Sequence, residues 1–551
     1  MMTGSNAPKV LIVGAGPTGL TLGINLLRAG VPCRIIDRQA ERSEHSRALG
    51  LHARSLEIFD AMGVLDAVRA EGRPLSMIRV HGEKGPLMDL DFGELASPFP
   101  YLLCCPQPRL EAILERRYRR LGGDLWRGAE LLQAQQDGSG VTAVVRYDGD
   151  DVAIGTQLTV GADGAGSTVR KLLGLPFDGH EYREHFLLAD VDWTPNLADD
   201  AFHGFLLADG NLAAIPMPDG WRLVISENGE PDDEAGEPGL EDFHERLRAA
   251  LGADTPLPER ARWLSRFTIQ RRLVSHYRRN RILLAGDACH VQSPLGAQGM
   301  NTGIADAFNL AWKLVLFCRG RGGGALLDSY QRERRPVAED MLRGVDALSR
   351  ASLVRARALR GARDSLLRLA GGRPRLARRL VRRASQLDVH YRHSPLVEAG
   401  PDAEIGRRRQ GPLPGDRVPD AALVSLRDGG PRRVLGLLRQ PLHHLLLQLD
   451  EAPDHRTRVI LHALLSRLPD EYLNELRVTV IGRGDLELDP PQGVMARAVH
   501  RWRDENGEFQ AAFGPGSRLW LMRPDGHLAY RAPLTDADYL LAYLERMLRG
   551  T

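Results

Sequence analysis

Apolar positions along the chain fall into three kinds of run. Val10–Val13, Cys33–Asp37, Gln157–Ala162 and Arg281–Ala285 are short and nearly unbroken, as strands buried on both faces of a parallel sheet are. Leu20, Leu22, Ile24, Leu26 and Leu27 recur at helical spacing and predict a helix over Pro17–Ala29, ended by Gly30 in the usual place for a left-handed cap. The same spacing predicts helices over Leu110–Leu121 and Asn301–Phe317, and an arginine-rich helical region over 340–386. From about 178 to 275 the pattern alternates in short pieces, among them Phe186–Val191, Gly204–Leu207, Leu212–Ile215 and Trp221–Ser226, which predicts an inserted antiparallel sheet.

These runs predict an α/β protein in which four distant strands share one Rossmann-type sheet. The alternating region forms a second unit. The expected divisions are 1–177 and 276–400 for the nucleotide-binding part, 178–275 for the inserted sheet, and 415–551 for a small α/β unit. Residues 97–108, with four prolines, read as loop, and 400–419 as linker. The last part reads as strand 434–449, helix 455–468, strand 477–482, a hairpin over 517–532 turning at Pro524-Asp525-Gly526, and a closing helix.

Composition narrows the classes. The chain has 551 residues, 43% of them hydrophobic and 26% charged, which excludes disorder or a fibre as a whole-chain description. Five scattered cysteines fit a reducing compartment and not a disulfide scaffold. The formal net charge of +2 gives no reason to expect a nucleic-acid partner. The arginines of 340–386 lie between Leu, Val and Ala at helical spacing and read as a solvated face. The apolar stretch Asn309–Cys318 is interrupted by Lys313 and falls short of the roughly 20 residues a spanning helix needs. No signal-peptide core precedes the first strand. The expectation is a cytoplasmic protein without a membrane partner.

Three motifs carry chemistry. Gly14-Ala15-Gly16-Pro17-Thr18-Gly19 follows a strand, opens a helix and precedes Asp37 at the end of the next strand, which is the dinucleotide-binding context. Gly14 permits the turn, Gly16 lets backbone approach a pyrophosphate, and Gly19 lets helix and strand pack. The helix N-terminus favours an anion, and Asp37 can accept from ribose hydroxyls. The second motif, Asp163-Gly164-Ala165-Gly166-Ser167-Thr168-Val169-Arg170, sits at another strand–turn–helix junction and reads equally as a turn with Ser167 as N-cap. In the third, a strand delivers Asp287 of Gly286-Asp287-Ala288-Cys289-His290 to a loop. The chain continues through Pro294 and Gln298-Gly299-Met300-Asn301 into a long helix containing Asp306. Cys289 and His290 read as packing residues, and no metal-ligand spacing occurs.

Together, in this order, the three motifs resemble the FAD-dependent aromatic hydroxylases related to para-hydroxybenzoate hydroxylase, over roughly residues 8–340. The stretches Gly415–Asp420 and Leu521–His527 look like the thioredoxin-like domain of the larger members, and Ser46–Leu51 with Ala53–Glu57 looks most like the polyketide hydroxylases. The resemblance implies FAD held by Gly14, Gly16, Pro17, Thr18 and Gly19, with Asp37 and Arg38 at the adenosine ribose. It implies Arg47 and Gln107 near the pyrophosphate and ribityl chain, Asp163 in a motif serving FAD and NAD(P)H, and Asp287 at ribityl or pyrophosphate groups. Gly299, Met300 and Asn301 would offer backbone to the flavin ring. Pro294 and Arg47 would stand nearest the reaction.

The implied activity uses NADPH or NADH and O2, and inserts one oxygen atom into an aromatic, phenolic or polycyclic substrate through a flavin C4a-hydroperoxide. Baeyer–Villiger insertion on the same scaffold, or a flavin-binding regulator, are the alternatives. Leu49 stands where phenol hydroxylases carry a catalytic aspartate, so no substrate base is named. No cysteine follows Cys318, so the C-terminal unit is not a disulfide redox module. No second GxGxxG motif occurs, which implies transient NAD(P)H binding in a shared groove.

Overall fold

The computed structural model describes residues 7–44, 48–208, 210–227, 238–292, 297–352, 356–401, 411–450, 452–484, 486 and 499–549. The four unbroken runs meet in one six-stranded sheet. Strand Val10–Val13 lies between Leu158–Gly161 and Cys33–Asp37, with Ile282–Leu284 and Asp124–Arg127 outside them, and all these neighbours are parallel. Helix Pro17–Arg28 follows the first strand, and Gly30 takes the left-handed conformation just beyond it.

The alternating region forms most of an eight-stranded sheet that also includes Met77–Gly82 and Gly85–Asp91. Ala201–Leu207 pairs in parallel with Met77–Gly82, while the other neighbours in this sheet are antiparallel. The strands of the alternating region pair with one another antiparallel, as expected, and the sheet extends beyond them by the hairpin 77–91, joined through a parallel pairing. A parallel pairing between strands far apart in sequence leaves no turn signal to read. Within the expected loop 97–108, Leu102–Cys104 forms a strand against Gly50–Leu51 and Arg73–Leu75.

The C-terminal part contains another eight-stranded sheet. The expected strand 434–449 divides. Leu435–Arg439 is a 3-10 turn with Leu435, Leu437 and Leu438 buried, and the strand begins at His443, after Pro441. The expected linker is corrected over its described part: Gly415 donates its N–H to Leu528 O at 2.7 Å, and Val418 is buried. The arginine-rich region is three helices, Gly324–Ser352, Arg357–Gly371 and Pro374–Ala384. The five cysteines are all buried and free, and burial pushes the Cys104 thiol up to about 12.

A fully buried ion cluster joins helices Gly299–Cys318 and Gly324–Ser352 to the hairpin of Arg518–Met522 and Leu528–Pro533. Glu333 receives Arg523 through both oxygens at 2.7 and 2.8 Å, Lys313 Nζ at 2.8 Å and Asn309 Nδ2 at 2.7 Å. Asn309 also donates to Asp525, which pairs with Arg523. Burial opposes the Glu333 charge, but the two cations hold its carboxyl well below the ordinary range. Lys313, desolvated and beside Arg523, is pushed down to about 8.

Glu333→Ala would leave two buried cations without their carboxylate, so it should cost about 3–5 kcal/mol of stability in urea unfolding. Lys313 loses its proton more easily folded than unfolded. Its contribution to stability should therefore rise as pH increases from about 8 toward 10.5. Comparing unfolding of wild type and Lys313→Met across that window isolates the effect.

Candidate active site

The glycines of the first motif occupy three different environments. Gly14 has φ +108°, and a Cβ there would lie 2.2 Å from Ala162 O. A Cβ on Gly19 would lie 1.9 Å from Gly14 O, so helix and turn touch through it. Gly16 has ordinary backbone angles (φ −75°) and faces open space, with no atom within 4 Å of its would-be Cβ. The first two are demanded by the fold. The third leaves a cradle that a side chain would fill.

The third motif reaches the first through Thr18. Cβ atoms built on Gly286 and Gly303 would lie 2.6 and 2.4 Å from its Oγ1. Asp37 accepts the N–H of Ala15 at 2.7 Å and of Gln39 at 2.8 Å, which fixes the carboxylate at the strand's end. A carboxylate offers about four acceptor positions, so capacity remains for hydroxyl groups. Asp163 accepts Ser167 Oγ at 2.6 Å, Thr168 N at 2.7 Å and Val169 N at 3.1 Å, and Ser167 in turn accepts Arg170 N. The N-cap reading of Ser167 is thus realised, with Asp163 bracing the same turn. Gln107 donates to Glu111 at 2.7 Å at the start of helix Gln107–Arg120.

Asp287 is exposed to a cavity, between the buried Gly286 and Ala288. Desolvation by the protein around that loop pushes its carboxyl up, His290 opposes that shift, and Asp306 adds to it. His290 Nε2 lies 2.7 Å from Asp306 Oδ2, and Arg334 Nε donates to Oδ1 at 2.6 Å. Burial acts against the Asp306 charge, but Arg334 and His290 keep its carboxyl below the ordinary range. Asp306 also accepts the N–H of Gly286 at 3.2 Å, one residue before Asp287. His290 is thus buried but also tied to a carboxylate, which a packing role alone did not anticipate. Arg334 had no sequence signal beyond being a charged residue on a helix.

Gly299 and Met300 line the cavity at the start of their helix. The Asn301 side chain is buried behind them. It accepts from His52 N and Ser55 Oγ, and donates to Gly50 O and Ala297 O. Arg47 and Pro294 lie outside the described residues.

One cavity of about 1890 Å³ runs past Gly14, Gly16, Pro17, Thr18, Asp37 and Arg38, then Gln107, Asp163 and Asp287, and reaches the eight-stranded sheet of the alternating region. There its wall includes Phe186, Leu188, Val224, Phe202 and Ile215. Arg222, also in this wall, is buried and held by Asp190 through two hydrogen bonds of 2.7 and 2.9 Å. Single ligand sites usually enclose about 300–1,000 Å³, so this space suits two ligands end to end.

A family model described as an FAD binding domain matches residues 7–345. The 6-methylpretetramide 4-monooxygenase of Streptomyces rimosus is 34% identical over 98% of this chain and 94% of its own length. The pentachlorophenol 4-monooxygenase of Sphingobium chlorophenolicum is 31% identical over 98% of this chain and 96% of its own. The solved anhydrotetracycline hydroxylase of Streptomyces rimosus matches with a TM-score of 0.74 at 30% identity, covering 98% of this chain and 99% of that one. With the fingerprint, the Asp287 loop and the continuous cavity, these likenesses show that the chain belongs to the FAD binding domain family and is an FAD-dependent monooxygenase of the aromatic hydroxylase type.

Proposed function

We propose that the chain hydroxylates a large phenolic or polycyclic aromatic compound, consuming O2 and NADPH or NADH. The observation that carries this reading is the continuity of one cavity from the nucleotide fingerprint to an apolar sheet wall. Two relatives are named for acting on 6-methylpretetramide and on pentachlorophenol, and an apolar wall suits aromatic compounds of that kind.

The residues present fit FAD. Gly16 and the helix N-terminus at Pro17 would take the pyrophosphate, with Asp37 and Arg38 beside the adenosine ribose. Gln107, Asp163 and Asp287 would face the ribityl and pyrophosphate groups. The start of helix Gly299–Cys318 would set N–H groups against the ring, where reduction adds negative charge. Bound FAD would accept hydride from the nicotinamide and activate O2, while the protein positions the substrate and keeps water out. The wall around Phe186 and Leu188 would hold the aromatic rings, and the Arg222–Asp190 pair would supply a fixed charge pair facing them. Pro294 and Arg47 keep their proposed places near the reaction.

The C-terminal unit would be thioredoxin-like. Support comes from the parallel pair His443–Leu449 and Leu476–Gly482 around helix His455–Arg467, followed by an antiparallel hairpin on the other side and a closing helix. The proposed divisions are 1–177 with 276–400, 178–275 and 415–551, with 77–91 adding two strands to the sheet of the alternating region.

Three outcomes test the reading. Gly16→Ala should leave stability within about 0.5 kcal/mol, since nothing meets its Cβ, yet should sharply weaken FAD binding in a fluorescence titration. Asp287→Ala should reduce FAD affinity by about tenfold or more, the loss expected for a hydrogen bond to a charged group. Unchanged affinity in either variant would remove that residue from the site. With FAD-loaded protein, phenols and polycyclic quinones should stimulate NADPH or NADH oxidation and yield products carrying one added ring oxygen. A ring-expanded ester would replace hydroxylation with oxygen insertion next to a carbonyl.

A further inference from the structure

Eight large hydrophobic side chains are conspicuously exposed among the described residues, and five of them lie on two consecutive helices. Helix Arg357–Gly371 exposes Leu359, Leu366 and Leu369 at 60, 67 and 53%. At 100° per residue these three fall within one narrow stripe. Helix Pro374–Ala384 exposes Leu376 and Leu380, one turn apart. The interval 357–383 also contains ten arginines against one acidic residue, Asp364, in a chain whose net charge is only +2.

Arg363 is buried and pairs with Asp364 beside it. Eight of the other arginines divide into two sets. Arg360, Arg378 and Arg383 pair with Glu83, Glu94 and Asp340, which fixes the helices to the body of the protein. Arg368, Arg373, Arg375, Arg379 and Arg382 are exposed and make no ion pair among the described residues. A solvated face accounts for these cations but not for the leucines among them.

We propose that this helix pair docks the enzyme on an anionic lipid surface. Leucine and arginine side by side on exposed amphipathic helices match the interface of a bilayer, where leucines enter the acyl boundary and guanidinium groups meet lipid phosphates. Single-stranded nucleic acids are held by stacking on aromatic side chains, and protein hot spots combine Arg with Trp and Tyr; 357–384 has arginines and leucines but no aromatic residue. Among the described residues no helix is long and apolar enough to cross a membrane, so the contact is peripheral. Leu367 and Leu380 also line the substrate cavity, so the docked face borders its mouth. On the reading of function above, an apolar substrate dissolved in the bilayer would meet the enzyme there.

The test is co-sedimentation of FAD-loaded full-length protein with phosphatidylcholine vesicles and with equal mixtures of phosphatidylcholine and phosphatidylglycerol. The mixed vesicles should bind the protein and the neutral ones should not, with binding weakened by salt. Arg375→Gln/Arg379→Gln/Arg382→Gln should weaken binding roughly a hundredfold. Leu366→Glu/Leu369→Glu should weaken it on the order of tenfold or more. Both variants should keep their FAD and their NAD(P)H oxidation, since none of these side chains faces the cavity. Equal binding to both vesicle types, no binding to either, or variants that bind like wild type would overturn the proposal. So would a dimer in solution that the leucine variant dissociates, or retention on DNA that ignores the leucines. FAD content and vesicle binding are read separately, so failure of one leaves the other standing.

Discussion

Helix Gly299–Cys318 has sixteen of its twenty residues buried, yet Thr302, Asp306, Asn309 and Lys313 lie above one another on one face at spacings of four, three and four. Removing such groups from water is costly unless each finds a partner, and unpaired buried charge is costlier still. Much of the surrounding structure answers that requirement. Arg334 and His290 meet Asp306, Glu333 meets Lys313 and Asn309, and Arg523 balances Glu333. At its cavity end the helix is secured by Asn301 to Gly50 and Ser55. The helix start proposed to face the flavin is thus held by contacts distributed along more than three turns, from Asn301 to Lys313.

The nucleotide half of the site was legible because its signals are local. A strand, three glycines and a helix lie within twenty residues, and the backbone angle of Gly14 and the contact at Gly19 explain why those glycines are needed. The strands sharing its sheet were legible from their unbroken apolar character. The alternating strands were legible, but the partner Met77–Gly82, which brings Gly85–Asp91 with it as a hairpin, was not, since its pairing with Ala201–Leu207 spans more than a hundred residues and leaves no mark near either strand. Leu435–Arg439 misled because an apolar run before a proline serves a buried turn as well as a strand. Asp306 was visible only as part of a motif. Its role emerged from His290, Arg334 and the Gly286 amide, which the fold brings together from three elements.

The C-terminal unit has no cysteine, and its contact with the rest of the chain is chemical as well as steric. Arg523 and Asp525 project from the hairpin turn into the charges of the two long helices, while Arg54 donates to the backbone of Asp525. Glu57 beside it receives Arg417 from the stretch that reads as linker in sequence. A unit stripped of redox groups therefore still supplies charges on which the flavin-side helix relies.

That hairpin turn bears on how the chain could be recombined. If the C-terminal part were exchanged with that of a relative, the graft would carry two formal charges into a site that already contains a carboxylate and an amine on the other side of the seam. Compatibility would depend on whether donor and recipient agree about those charges, a matter of a few side chains and not of overall resemblance. Chimeras cut between the helices and the hairpin would fail by electrostatic mismatch wherever those charges disagree, even if their backbones superimpose.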